Sequence, residues 1–389
     1  MVRRLRRRVL AAGAVLTVLN VAVAVPARAA ADPGWTHPGY GSGRTFYNPH
    51  ETVINGGSIS GVRLRWATEL PTIEEDSCTG PSAPLVAGGR VFVTDETGIG
   101  AYRLTTGAPL WHYDFDLPDN ERTPHLAVSG KLLIAGNTEC QSQSDPHGGI
   151  VALDVATGRK KWSAGGNGPV ASLVVDKGIV AVAGWSESSP AAVRGYRVSD
   201  GKLRWTVRDY WSAGVSAGGR LLVEGTRDQG IAALAIATGK RLWSKPYLYT
   251  AVAANPDGST FLVADDDGGL VCLKSANGAK VWGANGTGGA VATDGKRVYR
   301  GFSNSMQALD DRTGKLQWSH RFGSGAYQPV RAGGLLYTEV EGQGLRILSA
   351  ATGVPAIGSP FGATPDDTVV VAGGRLLMVR GDTIEAYAP

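Results

Sequence analysis

A segment that ends in tryptophan recurs along the 389-residue chain, and this repeat constrains the fold more than any other feature. In its clearest copy, residues 150–162, a Thr-Gly pair is followed after three residues by tryptophan. Successive tryptophans are 45, 51, 43, 38, 39 and 36 residues apart, an average of 42 that matches a four-stranded propeller blade. Apolar residues alternate with period two, which favours strands over a helical repeat. The repeat tryptophans are Trp66, Trp111, Trp162, Trp205, Trp243, Trp282 and Trp318.

The number of repeats predicts how the ring closes. A glycine-led apolar run occurs eight times, but the last repeat, residues 365–387, supplies only three strands before the chain stops. The missing outer strand is present near the other end, at about residues 62–68, and pairing the two ends removes an open sheet edge. We therefore expect an all-β, eight-bladed β-propeller of four-stranded antiparallel blades. One tryptophan in nearly every blade indicates blade-to-blade docking, not a ligand cage.

The N-terminal residues have the layout of a secretory signal peptide. An arginine cluster precedes an apolar run over residues 9–25 and a small-x-small cleavage site at Ala27–Ala29. We expect a signal peptide over 1–29, a lead-in over 30–61, a propeller over 62–389 and secretion, by the general rather than the twin-arginine route. Removing the six arginines of 1–29 leaves 33 basic against 34 acidic residues, so the basic pI belongs to the leader and nucleic acid is not expected as a partner. No later stretch is long and apolar enough to span a bilayer.

The three cysteines divide into a pair and a single residue. Cys78 and Cys140 fall in loops of adjacent blades on the same face, and an exported chain meets an oxidising compartment, so we predict a Cys78–Cys140 disulfide. Cys272 aligns with Ala152 and Ala308 in a column of small side chains, which predicts a buried structural role.

Long loops on the face that carries Cys78 and Cys140 are the candidate functional surface. These loops span about 71–80, 114–125, 137–149, 184–192 and 207–212, whereas the opposite face has short x-Gly turns. Long loops commonly carry function, although solvated acids and aromatics that cover loop backbone would have the same pattern. The predicted binding residues are Glu74, Glu75, Asp76, Asp119, Glu121, Trp185, Tyr210 and Trp211.

The repeat resembles that of pyrroloquinoline-quinone (PQQ)-like β-propellers. The pattern A-L-D-x-x-T-G-x-x-x-W occurs at 152–162 and 308–318, and residues 43–51 are similar to the lead-in of that family. The resemblance covers about residues 40–389 and implies the propeller fold. The family includes quinone dehydrogenases, which have an adjacent cysteine pair and a calcium set, and non-catalytic BamB-type propellers. This chain has no adjacent cysteines, so it resembles the non-catalytic branch, and no catalytic, cofactor-binding or metal residue is predicted.

These observations predict a secreted binding or scaffold module for an unidentified protein or glycan, acting as a monomer through the long loops of blades 1–4. One alternative is a PQQ-dependent oxidoreductase that acts on alcohols or sugars, with PQQ and calcium as cofactors. A second alternative is a structural protein of the cell envelope.

Overall fold

Eight four-stranded sheets follow one another along the chain in the computed structural model, each with its strands in chain order from the ring axis outwards except where the chain ends contribute. The structure describes Met1 and residues 34–73, 77–166, 168–226, 229–286, 290–357 and 368–389. The predicted signal peptide therefore lies outside the described residues apart from Met1. The eight-bladed propeller is confirmed. Within the described ranges, no helix reaches the length and hydropathy needed to cross a membrane.

The strands of the first four blades follow the order of the repeat. Blade 1 contains β3 Leu85–Ala87, β4 Arg90–Thr94, β5 Gly98–Arg103 and β6 Pro109–Asp114. Blade 2 contains β7 His125–Ser129, β8 Leu132–Thr138, β9 Gly148–Asp154 and β10 Lys160–Gly165. Blade 3 contains β11 Ser172–Asp176, β12 Ile179–Gly184, β13 Ala192–Arg197 and β14 Leu203–Arg208. Blade 4 contains β15 Tyr210–Ala217, β16 Arg220–Gly225, β17 Ile231–Ala235 and β18 Arg241–Lys245.

The remaining blades include both chain ends. Blade 5 contains β19 Thr250–Ala254, β20 Thr260–Ala264, β21 Leu270–Lys274 and β22 Lys280–Ala284, and blade 6 contains β23 Val291–Thr293, β24 Arg297–Phe302, β25 Ser305–Asp310 and β26 Leu316–Arg321. Blade 7 contains β1 Tyr47–Asn48, β27 Val330–Ala332, β28 Leu335–Val340 and β29 Gly344–Ser349. Blade 8 contains β30 Thr368–Ala372, β31 Arg375–Arg380, β32 Thr383–Ala388 and β2 Arg63–Glu69. The described residues also form two 3-10 turns, Ile59–Gly61 and Pro118–Asn120.

Each repeat tryptophan joins its blade to the next one. Its indole N–H donates to a backbone carbonyl one repeat further along, at 2.8–3.2 Å. Its ring covers the turn glycine of that next repeat; a Cβ on Gly314, for example, would lie 2.7 Å from the ring of Trp282. That glycine also has a φ of +68°, so the Gly-Trp pattern of the sequence is one contact that spans two blades. The donor–acceptor pairs are Trp66–Leu104, Trp111–Val155, Trp162–Val198, Trp205–Ile236, Trp243–Ser275, Trp282–Asp311 and Trp318–Ala350.

The two ends of the chain complete blades 8 and 7. Strand β2 pairs antiparallel with β32, with Arg63 opposite Ala388 and Glu69 opposite Thr383, as the incomplete last repeat predicts. Blade 7 departs from the expected pattern, because its fourth strand is β1, which lies parallel to β27 at the inner edge. In the described part of blade 7 the outer position is represented by an isolated bridge between Leu348 and Pro355.

The lead-in segment circles the ring axis and contacts every blade, at the innermost strand in seven blades and at β27 in blade 7. His37 Nε2 lies 2.9 Å from the Val175 carbonyl of blade 3, and the Asn48 side-chain amide donates to the Val371 carbonyl of blade 8 at 3.0 Å. Six other blades donate a backbone N–H at 2.7–2.9 Å. Those bonds run from Val86 to Trp35, Val128 to Thr36, Ser216 to Ser42, Ala254 to Gly43, Thr293 to Thr45 and Arg331 to Phe46.

The propeller has two unlike faces. The turns that join the second and third strands of each blade lie on one face, which we call the long-loop face. The turns that join the first and second strands, and the third and fourth strands, lie on the opposite face, which we call the short-hairpin face. The lead-in binds the inner strands near their C-terminal ends, so it closes the axis on the short-hairpin side. The long-loop face carries the loops that the sequence singled out.

Candidate binding face

A disulfide anchors the long-loop face at blades 1 and 2. Cys78 and Cys140 are joined, with their Cα atoms 6.5 Å apart, as the sequence predicts. Around this bridge, the Gly80 N–H donates to Thr123 Oγ1 at 2.9 Å, and the Cys140 N–H donates to the Asn120 carbonyl at 3.1 Å. The segment that leads into blade 1 is therefore fixed to the loops of blade 2.

Glu121 lies inside this linked region. Its Oε2 accepts a 2.6 Å hydrogen bond from the Asn137 side-chain amide. Burial raises the pKa of the Glu121 carboxyl, and the nearby Glu139 and Asp116 carboxylates act in the same direction. A cavity of about 450 Å³ that Glu121, Asn137 and Asp116 line with Tyr113 opens beside it. The geometry offers a partly buried acceptor at the edge of a concave surface.

The loops of blades 2 and 3 are joined through Asp145. Its Oδ1 accepts hydrogen bonds from Ser186 Oγ at 2.6 Å and from Ser188 Oγ at 2.7 Å, and these bonds lower the pKa of the Asp145 carboxyl. The Glu187 N–H also donates to the Ser144 carbonyl at 3.1 Å. This half-buried carboxylate therefore has structural hydrogen-bond partners, which the sequence alone did not indicate.

The link continues from blade 3 to blade 4 through Asp209. Its N–H donates to the Ala191 carbonyl at 2.9 Å, and its carbonyl accepts from the Thr226 N–H at 2.9 Å. Asp209 has a φ of +69°, which turns the chain sharply between β14 and β15. Loops from four consecutive blades are thus tied edge to edge into one continuous rim.

Two of the predicted aromatic residues are exposed on this rim and one is not. Trp185 is 59% exposed and Trp211 is 42% exposed, with its indole N–H held by the Gly225 carbonyl at 2.9 Å. The prediction that Tyr210 lies on the binding surface is wrong, because Tyr210 is only 2% exposed. Strand β15 begins at Tyr210, so strand alternation turns Tyr210 into the core and Trp211 outwards.

Of the other acidic residues predicted for the binding surface, Asp119 is the one that the structure describes besides Glu121. Asp119 is half-buried in the 3-10 turn Pro118–Asn120, and its side chain is 3.3 Å from the Gln141 amide nitrogen. Glu74, Glu75 and Asp76 lie outside the described residues.

Sequence reasoning missed an apolar extension of the rim towards blade 5. Tyr247 is 51% exposed and Leu248 is 47% exposed, and the Tyr247 ring lies 5.2 Å from that of Tyr249. These residues follow Lys245 and Pro246, which pack against Gly230 of the blade 4 loop. The sequence does contain a sign of this extension, because residues 246–249 place three large apolar side chains in the link between blades 4 and 5.

The axis itself holds a small charged group. Arg44, with a φ of +49°, comes from the lead-in, and burial lowers the pKa of its guanidinium while Glu224 opposes that change. Burial raises the pKa of Glu224, whose Oε1 accepts the Ala251 N–H at 2.9 Å. Burial and the Arg44 charge both lower the pKa of His125. One guanidinium, one carboxyl group and one imidazole therefore share this region.

Cys272 is buried and does not reach any of these groups. It is 0% exposed and pairs across the sheet with Leu262 and Trp282. Burial raises the pKa of its thiol to about 12, so the thiolate needed for nucleophilic chemistry is strongly disfavoured at neutral pH.

The closed ring of eight blades, joined by its repeat tryptophans, defines the chain as a repeat β-propeller. Its sequence also matches a known propeller family. The family described as outer membrane protein assembly factor BamB matches residues 29–169, 147–300 and 227–386. These matches span nearly the whole described propeller. The chain belongs to this family of PQQ-like β-propellers.

Individual relatives include both enzymes and an assembly factor. Quinoprotein glucose dehydrogenase A of Acinetobacter calcoaceticus is 24% identical over 348 residues, which cover 77% of this chain and 39% of that protein. Outer membrane protein assembly factor BamB of Burkholderia pseudomallei is 26% identical over 223 residues, which cover 51% of this chain and 57% of that protein. The chain thus spans less than two thirds of either relative. The quinohemoprotein alcohol dehydrogenase of Comamonas testosteroni superposes with a TM-score of 0.68 at 15% identity, over 93% of this chain and 81% of that one, and shows the fold alone.

The PQQ-like resemblance of the repeat implies PQQ and calcium as the cofactors of a quinone enzyme. Calcium takes six to eight oxygen ligands. The described residues contain no group of three or more His, Cys, Asp or Glu side chains arranged to hold a metal. Glu224 is the carboxylate beside Arg44, and it is already engaged by a backbone N–H. The described axial residues do not fit a metal-bound quinone.

Proposed function

We propose that the chain is a secreted binding or scaffold module whose long-loop face, over blades 1–4, receives a protein or a glycan. The observation that carries the proposal is the rim: four sets of loops are tied together while Trp185 and Trp211 remain 59% and 42% exposed. A surface that is already ordered loses little conformational entropy on binding. Exposed aromatic side chains on such a surface are the usual anchors of a binding site.

The charge of the rim supports a partner that presents cationic or hydrogen-bond-donating groups beside an apolar contact. Asp116 and Glu121 line the cavity, and Glu187 lies two residues from Trp185 in the same loop. Asp119 and Glu139 lie in the loops next to the disulfide. Basic or amide-bearing protein segments and sugar hydroxyls both have this chemistry. Tyr247 and Leu248 extend the apolar part of the surface.

The test compares capture by the wild-type propeller with capture by the double variant Trp185→Ala/Trp211→Ala, using culture supernatant and cell-wall extract as the source. The matched control is Leu203→Ala/Leu316→Ala, because those side chains are 52% and 56% exposed but lie on outer strands. We expect a species that wild type and control retain equally and that the tryptophan variant loses by at least about tenfold. Equal retention by all three proteins, or no retained species, would overturn the proposal, and the latter would favour the structural envelope role.

A second candidate function is quinone-dependent oxidation of an alcohol or sugar. The observation that favours it is the sequence similarity to the glucose dehydrogenase relative over 77% of this chain. Titration of the purified protein with PQQ and calcium, followed by dye reduction with alcohols and sugars, tests it directly. We expect no saturable binding and no dye reduction, since the described axial residues lack a metal-holding set.

A further inference from the structure

The two faces of the propeller carry opposite charge, which the near-neutral total conceals. Counted with one strand residue on each side, the described turns between second and third strands hold ten acidic residues and one basic residue. The hairpins between third and fourth strands of blades 1–6, counted in the same way, hold eleven basic and four acidic residues. The first set faces the long-loop side and the second set faces the short-hairpin side.

The basic residues on the short-hairpin side recur at one position of the repeat. The residue that follows the turn glycine is Arg159, Lys202, Lys240 or Lys315 in four of the blades, and each is exposed. Because the same hairpin closes each blade, these cations stand at the same height around the ring. Blade 5 has Lys280 one residue further along, also exposed.

Carboxylates on the same hairpins are used within their own turns. Asp154 Oδ1 accepts from Thr157 Oγ1 at 3.0 Å, and Asp310 Oδ1 accepts from Thr313 Oγ1 at 2.8 Å. Asp200, which lies two residues before Lys202, accepts a hydrogen bond from the Arg197 guanidinium in the same turn. The lysines and arginine at the repeat position therefore form an arc of exposed cations over blades 2–6.

We propose that the short-hairpin face docks on an anionic lipid bilayer. A flat anionic bilayer can meet the cations of blades 2–6 and accept exposed apolar side chains in its headgroup region at the same time, whereas a linear polyanion offers no apolar contact. Val53 and Val354, 53% and 60% exposed, lie in loops on this same face and add apolar contact with the headgroup region. Docking in this orientation turns the acidic long-loop face away from the membrane. This inference goes beyond the binding function proposed above and does not depend on it.

Co-sedimentation with vesicles tests the proposal. The probe is phosphatidylcholine vesicles with and without phosphatidylglycerol, and the variant is Lys202→Glu/Lys240→Glu/Lys315→Glu. The matched control, Arg122→Glu/Arg208→Glu/Arg321→Glu, makes the same change in net charge at exposed residues that do not belong to these hairpins. Thermal melting of both variants establishes that they are folded.

We expect wild type to bind the anionic vesicles and not the neutral ones, with binding that weakens as salt shortens the Debye length below about 8 Å. The hairpin variant should bind at least about 100-fold more weakly, since each basic residue near an anionic surface contributes about fivefold, and the control should stay within about threefold of wild type. Equal losses in both variants, or equal binding to neutral vesicles, would overturn the proposal. Preference for soluble polyphosphate over vesicles would assign the face to a polymer, and salt-sensitive self-association without vesicle binding would assign it to a second copy of the chain.

Discussion

The long-loop face and the short-hairpin face are built from opposite ends of the same strands, yet they differ in almost every property. On the short-hairpin side the turn is fixed by the repeat, because its glycine must fit beneath the tryptophan of the preceding blade. On the long-loop side no such contact limits the turn, so length and sequence vary from blade to blade and acidic and aromatic residues accumulate. The repeat therefore fixes the turn at the end of each blade that docks on its neighbour. The loops at the other end of the blade can vary in length and sequence.

The largest expected effect comes from removing the lead-in, which belongs to the short-hairpin side. A chain that starts at residue 62 loses contacts to all eight blades and the buried side chains of Trp35, Ile54 and Ile59. We expect it to be insoluble or to melt more than about 15 °C below a chain that starts at residue 34, because several kcal/mol of burial and hydrogen bonding are lost. Circular dichroism melting compares the two, and melting within about 5 °C of each other would show that the lead-in does not hold the ring.

The buried repeat tryptophans and the exposed tryptophans of the long-loop face should respond very differently to substitution by alanine. Trp282→Ala removes a side chain that is 7% exposed and a 2.8 Å hydrogen bond to the Asp311 carbonyl, so we expect a loss of about 3–5 kcal/mol. Trp185→Ala removes a side chain that is 59% exposed and should change stability by less than about 0.5 kcal/mol. Urea unfolding measures both. Similar losses for the two variants would contradict the division into docking and surface tryptophans.

The disulfide should contribute to global stability and, in addition, to the local order of the rim. It spans 62 residues of sequence, so Cys78→Ser/Cys140→Ser should cost about 4 kcal/mol by the loop-entropy estimate. Hydrogen exchange should accelerate more around Glu121 and the loop 137–149 than at the turn 155–159 on the opposite face, which shares only the loss of global stability. Uniform acceleration on both faces would show that the bridge does not act locally.

The smallest expected change in stability is at Asp311, a buried residue of the hairpin between the third and fourth strands of blade 6. This change should depend on pH. Burial raises its pKa to about 6 from an ordinary 3.8, so the folded protein binds this proton more tightly than the unfolded chain does. Its destabilising contribution is therefore absent below about pH 4, grows between pH 4 and 6 and is complete above that. We expect Asp311→Asn to be more stable than wild type by about 1–2 kcal/mol at pH 7.5, allowing for partial solvent screening, and equal to it at pH 4. A pH-independent difference in melting would contradict this assignment.

Much of the fold follows from the sequence because the docking contact is periodic. The turn glycine and the tryptophan recur once per repeat, so the blades can be counted from the sequence. The last repeat has only three strands, which predicts that the strand containing Trp66 completes it. The lead-in could not be placed in this way, since residues 34–61 contain no copy of the repeat and their partners are scattered over eight blades. The parallel pairing of β1 in blade 7 escaped prediction for the same reason.

The candidate site was harder to predict than the fold, and the reasons are local. Tyr210 and Trp211 are neighbours in sequence, and only the observed start of β15 decides which of them points outwards. The exposure of Tyr247 depends on how blades 4 and 5 pack around the short link that joins them, which the repeat pattern does not specify. The opposite charges of the two faces were present in the repeat itself, at the residue after each turn glycine, but the near-neutral sum concealed them.

The most direct test of the account is hydrogen exchange of the propeller with and without its captured partner. The account predicts protection in the linked loops 118–123, 137–149 and 184–192 and around Trp211, with no change in the short hairpins 155–159 and 236–240. Protection confined to the short hairpins, or to blades 6–8, would contradict the claim that the long-loop face of blades 1–4 is the binding surface.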